Sequence, residues 1–166
     1  NQYMKERTLH LTRAALIAAL YVILTFVSQV FGLASGVIQF RLSEALTCMP
    51  LFYKEAVPGL WAGCLLANLL TGCAMWDIVF GSAATLIGAL GTYYIGRRRP
   101  ILGPLFPIGS NMIIVPFVLQ YVYGAAESYW FLMVTVGAGE IVCCGVLGMI
   151  LYKACKKSGA GSFSGR

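Results

Sequence analysis

Apolar residues run along this chain in blocks of about the length a helix needs to cross roughly 30 Å of hydrocarbon. The blocks lie near residues 9–32, 36–53, 56–72, 77–96, 103–122 and 129–152, with short polar or small-residue breaks between them. The pattern predicts an all-α integral membrane bundle of six transmembrane helices, folded as one domain over residues 1–157. Residues 158–166 are small and polar and read as a flexible tail or a vector-derived remnant. The first block follows Lys5, Arg7 and Arg13 and precedes Ala34-Ser35-Gly36, as a signal peptide would. Its apolar run exceeds a signal core, so it reads as a retained helix. Pro58 suits the first turn of the third block, Pro50 ends or bends the second, and Pro116 kinks the fifth, freeing the Met112 carbonyl near Asn111 and Gln120.

Orientation follows from the cations. Lys5, Arg7 and Arg13 precede block one, Lys54 separates two from three, Arg97, Arg98 and Arg99 separate four from five, and Lys153, Lys156 and Lys157 follow block six. With six spans all of these fall on one side, and the opposite breaks near 33–35, 71–76 and 123–128 hold no Lys or Arg. Both termini are therefore expected in the cytoplasm.

Composition agrees with a membrane chain: of 166 residues, 59% are hydrophobic and 11% charged. The net charge of +6 is spread between apolar blocks as topology requires, so it gives no reason to expect a nucleic-acid partner. Of the six cysteines, Cys48, Cys64, Cys143 and Cys144 sit inside apolar stretches without C-x-x-C spacing and read as small apolar filler. His10 is the one histidine, which removes His-pair zinc motifs and the Ser-His-Asp triad. No G-x-x-x-x-G-K occurs, so no P-loop cradles a nucleotide; neither metal nor cofactor is expected on this chain.

Against that apolar background a polar island stands out, Gln39-Phe40-Arg41-Leu42-Ser43-Glu44 in block two. A charged side chain at the bilayer centre costs roughly 2.5–3.5 kcal/mol, so such residues are kept for pairing or for function. On a helix Arg41 and Glu44, three apart, can pair with each other; alternatively Gln39, Arg41 and Glu44 face a polar ligand in the outer half. Glu140, in block six, has no cation near it in sequence, and Arg41 is its obvious tertiary partner. Gly137, Glu140, Cys144 and Gly148 share a face and leave room for a ligand or a close helix. Asn68 and Asn111 add amides that donate and accept. Asp77 opens block four on the outer side as a helix N-cap or a ligand contact. Trp76 and Trp130 read as interfacial anchors. Ala14, Ala15, Ala18 and Ala19 in block one, and Gly59, Gly63 and Ala67 in block three, allow close helix approach, by default within the chain.

Four stretches in this order carry a family likeness: Gln39-Phe40-Arg41-Leu42-Ser43-Glu44-Ala45-Leu46-Thr47, Pro58-Gly59-Leu60-Trp61-Ala62-Gly63-Cys64-Leu65-Leu66-Ala67-Asn68, Asp77-Ile78-Val79-Phe80-Gly81-Ser82 and Gly137-Ala138-Gly139-Glu140. From about residue 7 to 157 the chain resembles the queuosine-precursor (QueT-type) family, the substrate-binding S components of energy-coupling factor (ECF) transporters. The resemblance implies a six-helix ECF S-component-like subunit in a prokaryotic cell membrane. Such a subunit captures a micronutrient from outside and works with a transmembrane coupling subunit and two ATPases, which use the ATP. It also implies docking of Ala14, Ala15, Ala18 and Ala19 on the coupling subunit, and reorientation of the subunit in the membrane. The implied cargo is a 7-deazaguanine base or related precursor. Glu44 and Glu140 would accept its N–H groups, and Gln39, Arg41, Asn68 and Asn111 would donate to its carbonyl. Phe40, Trp76 or Tyr121 would cover its faces, and Asp77 or the other glutamate would receive an aminomethyl cation. Competing readings are an S component for a different vitamin, a small membrane enzyme using Glu140 or Glu44 as general base, and a structural subunit.

Overall fold

In a computed structural model, which describes residues 1–34 and 38–160, the first apolar block forms one long helix, α1 (Gln2–Val30). At 1.5 Å per residue it reaches about 43 Å, more than a bilayer core needs, and its first two turns stand exposed beyond the bundle. The chain continues through α2 (Ala56–Leu70), α3 (Met75–Gly91) and α4 (Leu105–Tyr121), then α5 (Tyr129–Glu140) and α6 (Gly148–Lys157). A π-helical turn, Thr92–Gly96, prolongs α3, and a π-helical stretch, Ile141–Leu147, joins α5 to α6 in one rod. All regular elements among the described residues are helical, as the apolar pattern predicts. Among the described residues, four stretches are long and apolar enough to cross a membrane: Gln2–Val30, Met75–Gly96, Pro100–Tyr121 and Tyr129–Lys157. At 15 residues α2 is shorter, and Pro58 lies in its first turn as expected.

Block two departs from the expected transmembrane α-helix. Residues 35–37, which include the start of that block, lie outside the described residues, as do 161–166 of the expected tail. Arg41 has an extended backbone (φ −103°, ψ 103°), and Leu42–Leu51 form a 10-residue 3-10 helix. At about 2 Å per residue this segment covers about 20 Å, short of a full crossing. The physical reason is its surroundings. Ser43, Glu44, Leu46, Thr47, Cys48, Met49 and Pro50 are all buried, so protein rather than lipid surrounds a backbone that departs from the α-helix. The polar residues and Pro50 that argue against an α-helix are the ones this central position accommodates.

Helices α1 and α2 meet along matched small residues. A Cβ added to Gly59 would lie 2.8 Å from the Ala14 carbonyl oxygen, and one on Gly63 3.0 Å from the Ala18 Cα. Ala14 and Ala18 are thereby taken up in packing within the chain, whereas Ala15 and Ala19 are exposed. Just above this seam the core gathers Ile17, Tyr21, Leu60, Cys64 and Ala67 with Leu46 and Met49 of the 3-10 segment.

The cation-bearing breaks converge at one end. The Arg13 guanidinium lies 4.7 Å from the Tyr53 ring centroid, Phe52 stacks on Tyr152 at 5.2 Å, and a Cβ on Gly96 would meet the Gly103 Cα at 2.9 Å. Here Glu55, 7% exposed, takes Arg13 Nη1 at 3.1 Å and lies 3.1 Å from His10 Nδ1. Burial disfavours its charge, but a backbone N–H, His10 and Arg13 outweigh it and hold the carboxyl below its usual value of 4.5.

The α1–α2 seam leaves no room for a methyl group at Gly63. Gly63→Ala should lower unfolding stability by roughly 1–3 kcal/mol. Gly109→Ala, where nothing lies within 4 Å of the added Cβ, should not. Thermal unfolding of both variants in detergent checks this, and equal midpoints would remove the seam's importance.

Candidate functional site

The polar island enters the bundle as an extended stretch held at both ends. The Phe40 N–H donates to the Leu33 carbonyl at 2.9 Å and the Leu42 N–H to Ser28 Oγ at 2.8 Å. Gly139 of α5 makes room for this stretch, because a Cβ there would collide with the Gln39 carbonyl oxygen. The 3-10 segment then carries Glu44, 1% exposed, into the interior.

Arg41 and Glu44 form no ion pair, which corrects the i, i+3 pairing expected on an α-helix; that geometry is absent because Arg41 precedes the helical turn. Arg41 Nη2 reaches Asn68 Oδ1 at 3.4 Å instead. Glu44 accepts the Tyr21 hydroxyl at 2.6 Å, and the Cys144 thiol points at its other oxygen from 3.9 Å. The same thiol donates to Glu140 Oε2 at 3.0 Å, and Asn111 Nδ2 approaches that oxygen at 3.5 Å while bonding the Pro107 carbonyl at 2.9 Å. A chain of polar contacts thus runs Tyr21–Glu44–Cys144–Glu140–Asn111 across four elements. Donor atoms of Glu44, Glu140 and Cys144 come within 4.8 Å of one another, the one such group among the described residues with metal-ligand chemistry. Cys144 is part of the polar network, beyond the filler role its apolar neighbours suggest.

Beside this network lies a cavity of about 220 Å³. Gln39 and Arg41 line it from the extended stretch, Asn111, Val115 and Leu119 from one face of α4, and Phe131, Leu132, Thr135, Val136 and Glu140 from one face of α5. Ala125 and Glu127 close it from the α4–α5 loop. Of the residues singled out from sequence, Gln39, Arg41, Asn111 and Glu140 face the cavity. Glu44 and Asn68 stand behind it as partners of Tyr21 and Arg41.

Asp77 lies elsewhere. It sits in the first turn of α3, whose N-cap is Ala74, and makes no capping bond; its Oδ2 accepts the Tyr123 hydroxyl at 2.6 Å. The Ala74 N–H also donates to Tyr123 Oη, at 3.1 Å. Burial and the Asp77 carboxylate push the Tyr123 phenol well above its usual range, so it remains a donor at physiological pH. Asp77 therefore fastens the α4–α5 loop to α3 and does not line the cavity. Phe40, Trp76 and Tyr121 do not line it either; the ring on its wall is Phe131. Trp76 and Trp130 stand exposed near the starts of α3 and α5, as anchors would. Phe131, Thr135 and Glu127 were not singled out from sequence. Extending the face of Glu140 toward the N-terminus leads to Val136 and Leu132, at four and eight residues, and not to Phe131 and Thr135, which line the cavity from the adjoining side of α5; a loop glutamate carries no such signal either.

A family model described as "QueT transporter" matches residues 11–157. The protein named "Queuosine precursor transporter QueT" of Lactococcus lactis subsp. cremoris (strain MG1363) is 36% identical over 84 residues, covering 50% of this chain and 48% of that protein. The match thus spans about half the length of that curated relative. No solved structure matches.

The Tyr21–Glu44 bond carries the interior end of the site. Tyr21→Phe should cost about 1–3 kcal/mol, the range for leaving a buried polar group without its hydrogen-bond partner. A thermal unfolding midpoint equal to that of the parent protein would show that Glu44 needs no hydroxyl donor.

Proposed function

The chain belongs to the QueT transporter family, and on that premise we propose that it is the substrate-binding membrane subunit of an ATP-driven importer of the ECF type. In this reading it captures a queuosine precursor, a 7-deazaguanine base, from outside and delivers it inward with a coupling subunit and two ATPases. The observation that carries the reading is the cavity itself, where Arg41, Gln39 and Asn111 offer donors, Glu140 offers acceptors and Phe131 offers a ring face. A guanine-like edge presents adjacent N–H donors and a carbonyl acceptor. One carboxylate and two or three donors complement it, and an aromatic face accommodates its plane. The volume of about 220 Å³ lies below the roughly 300–1,000 Å³ of sites for drug-sized ligands, which favours a free base over its nucleoside.

Orientation supports entry from outside. By the positive-inside rule the end that gathers Arg13, Lys54 and Arg97 faces the cytoplasm, and the α4–α5 loop that borders the cavity lies at the opposite end. In this reading the energy comes from partner subunits, with which the absence of a P-loop motif in the sequence is consistent. Of the four alanines proposed for docking, Ala15 and Ala19 are the ones whose small side chains are exposed for a helix of the coupling subunit.

A ligand that binds only the folded state raises the unfolding temperature. The purified protein in detergent should be stabilised by a 7-deazaguanine and not by riboflavin or thiamine, and Glu140→Ala should abolish that stabilisation. Stabilisation by one of the vitamins alone would redirect the reading to a different cargo. For the docking face, Ala19→Trp should leave ligand stabilisation intact while abolishing uptake by cells that carry the coupling module; unimpaired uptake would remove Ala19 from the interface.

A further inference from the structure

Arg41 lines the cavity from an extended stretch, where no helix aims its side chain. Its backbone is fixed, because the Leu42 N–H donates to Ser28 Oγ at 2.8 Å and the Arg41 carbonyl accepts the Glu44 N–H at 3.0 Å. The guanidinium, however, ends a stem of several rotatable bonds, and freedom that such a stem loses only on binding is subtracted from affinity. No ion pair reaches Arg41 among the described residues. What its side chain meets there is Asn68, with Nη2 donating to Oδ1 at 3.4 Å. Asn68 belongs to α2, is buried, and lies outside the cavity wall.

The amide is itself held in place. A guanidinium offers donors only, so the Asn68 oxygen faces Arg41 and Nδ2 points the other way. There Nδ2 meets Cys64 Sγ, one turn earlier on α2, at 3.7 Å. Thr85 Oγ1 of α3 donates to the same sulfur at 3.3 Å. The amide also abuts Gly81 of α3, where an added Cβ would lie 3.1 Å from Nδ2. Two helices thus enclose the amide and direct its oxygen at the guanidinium.

Resting on the reading of this cavity as the cargo site, we propose that Asn68 is a positioning residue that holds the Arg41 guanidinium at the cavity wall before the cargo arrives. Asn68 acts through Arg41 and does not touch the cargo, which replaces the direct donation expected of it from the sequence. Its N–H group is turned to Cys64 and its oxygen to Arg41, so neither faces the cavity. With the guanidinium already fixed, less side-chain freedom is lost when the cargo binds.

The test has one readout without cargo and one with it. In ligand-free protein carrying isotope-labelled arginine, in detergent, a guanidinium held by Asn68 rotates slowly about its C–N bonds. The parent should therefore give separate Nη resonances for Arg41, assigned by their loss in Arg41→Lys. Asn68→Leu, which keeps the volume and removes the acceptor, should merge them, whereas Asn68→Asp, which keeps an oxygen toward the guanidinium, should preserve them. Calorimetry with a 7-deazaguanine should then show Asn68→Leu binding about three- to tenfold more weakly than the parent, and Asn68→Asp within about twofold of it, as expected for one long side chain left to be ordered on binding. Asn68→Ala should behave as Asn68→Leu does, so a misfolded leucine variant leaves the test intact. Merged resonances in the parent, unchanged affinity in a folded truncation, or an Asn68→Asp variant as weak as the truncations overturns the role of Asn68 alone. A parent with Arg41 fixed that binds no deazaguanine overturns the cargo reading and takes this role with it.

Discussion

The hydroxyl of Tyr21 against the carboxylate of Glu44 is the contact on which the interior arrangement depends. A carboxylate 1% exposed amid apolar helices is tolerable only if its oxygens find donors, and α1 supplies the shorter contact, at 2.6 Å. To bring Tyr21 there, α1 must lie close to α2 and to the 3-10 segment at once. The glycines of α2 meet the first need, since Gly63 lies directly under Ala18 and Tyr21. The second is met by burying Leu42–Leu51 at the centre, where it packs against other helices rather than lipid. Small residues on α2, an irregular segment at membrane depth and a carboxyl group in the core are thus one solution to one constraint.

The same logic shapes the other wall. Gly139 lets the extended stretch at Gln39 press against α5, and Gly137 admits the Met112 side chain of α4. Directly after Glu140 the rod passes into its π-helical stretch, which alters the register of the residues that follow and leaves Cys143 and Cys144 buried. The Cys144 thiol consequently reaches two carboxylates carried by different elements, Glu140 at 3.0 Å and Glu44 at 3.9 Å. Glu140 is then oriented by Cys144 on one side and Asn111 on the other, which aims it at the cavity rather than at lipid.

Much of this was legible in the sequence because burial cost is a property of residue type. Arg41, Glu44 and Glu140 declare themselves against an apolar background, and the cavity or its immediate backing contains all three. The grouping of Arg13, Lys54 and Arg97 at one end was legible for a similar reason, since loop charges follow topology. What escaped depended on backbone conformation. Hydropathy measures how apolar a segment is and not how it winds, so block two read as an α-helix, and the supposed Arg41–Glu44 pair followed from that helical spacing. Asp77 looked like a cap because capping is a local rule, whereas its actual partner Tyr123 lies 46 residues away. Glu127 escaped because a loop glutamate near the outer surface is unremarkable until a cavity is seen beside it.

The two sides of the cavity are built to different mechanical standards, and this bears on how a bound molecule would leave. The inner wall is a network of buried side chains from α1, α4, α5 and the 3-10 segment, and moving any one of them strands a polar group in the core. The outer border is a short loop whose ties are few: the Gln120 amide to the Glu127 carbonyl, and Tyr123 to Asp77 and the Ala74 N–H. Those bonds lie at the surface, so water can replace each one lost at little cost. Opening at the loop is therefore the inexpensive motion, and opening through the interior is the expensive one. On the function proposed above, these two borders would let ligand exchange at the loop while the intact core closes the opposite side. If the proposed import function holds, delivery would need either disruption of the core or movement of the bundle as a body, and the cost of stranding Glu44 and Glu140 in the core disfavours the first.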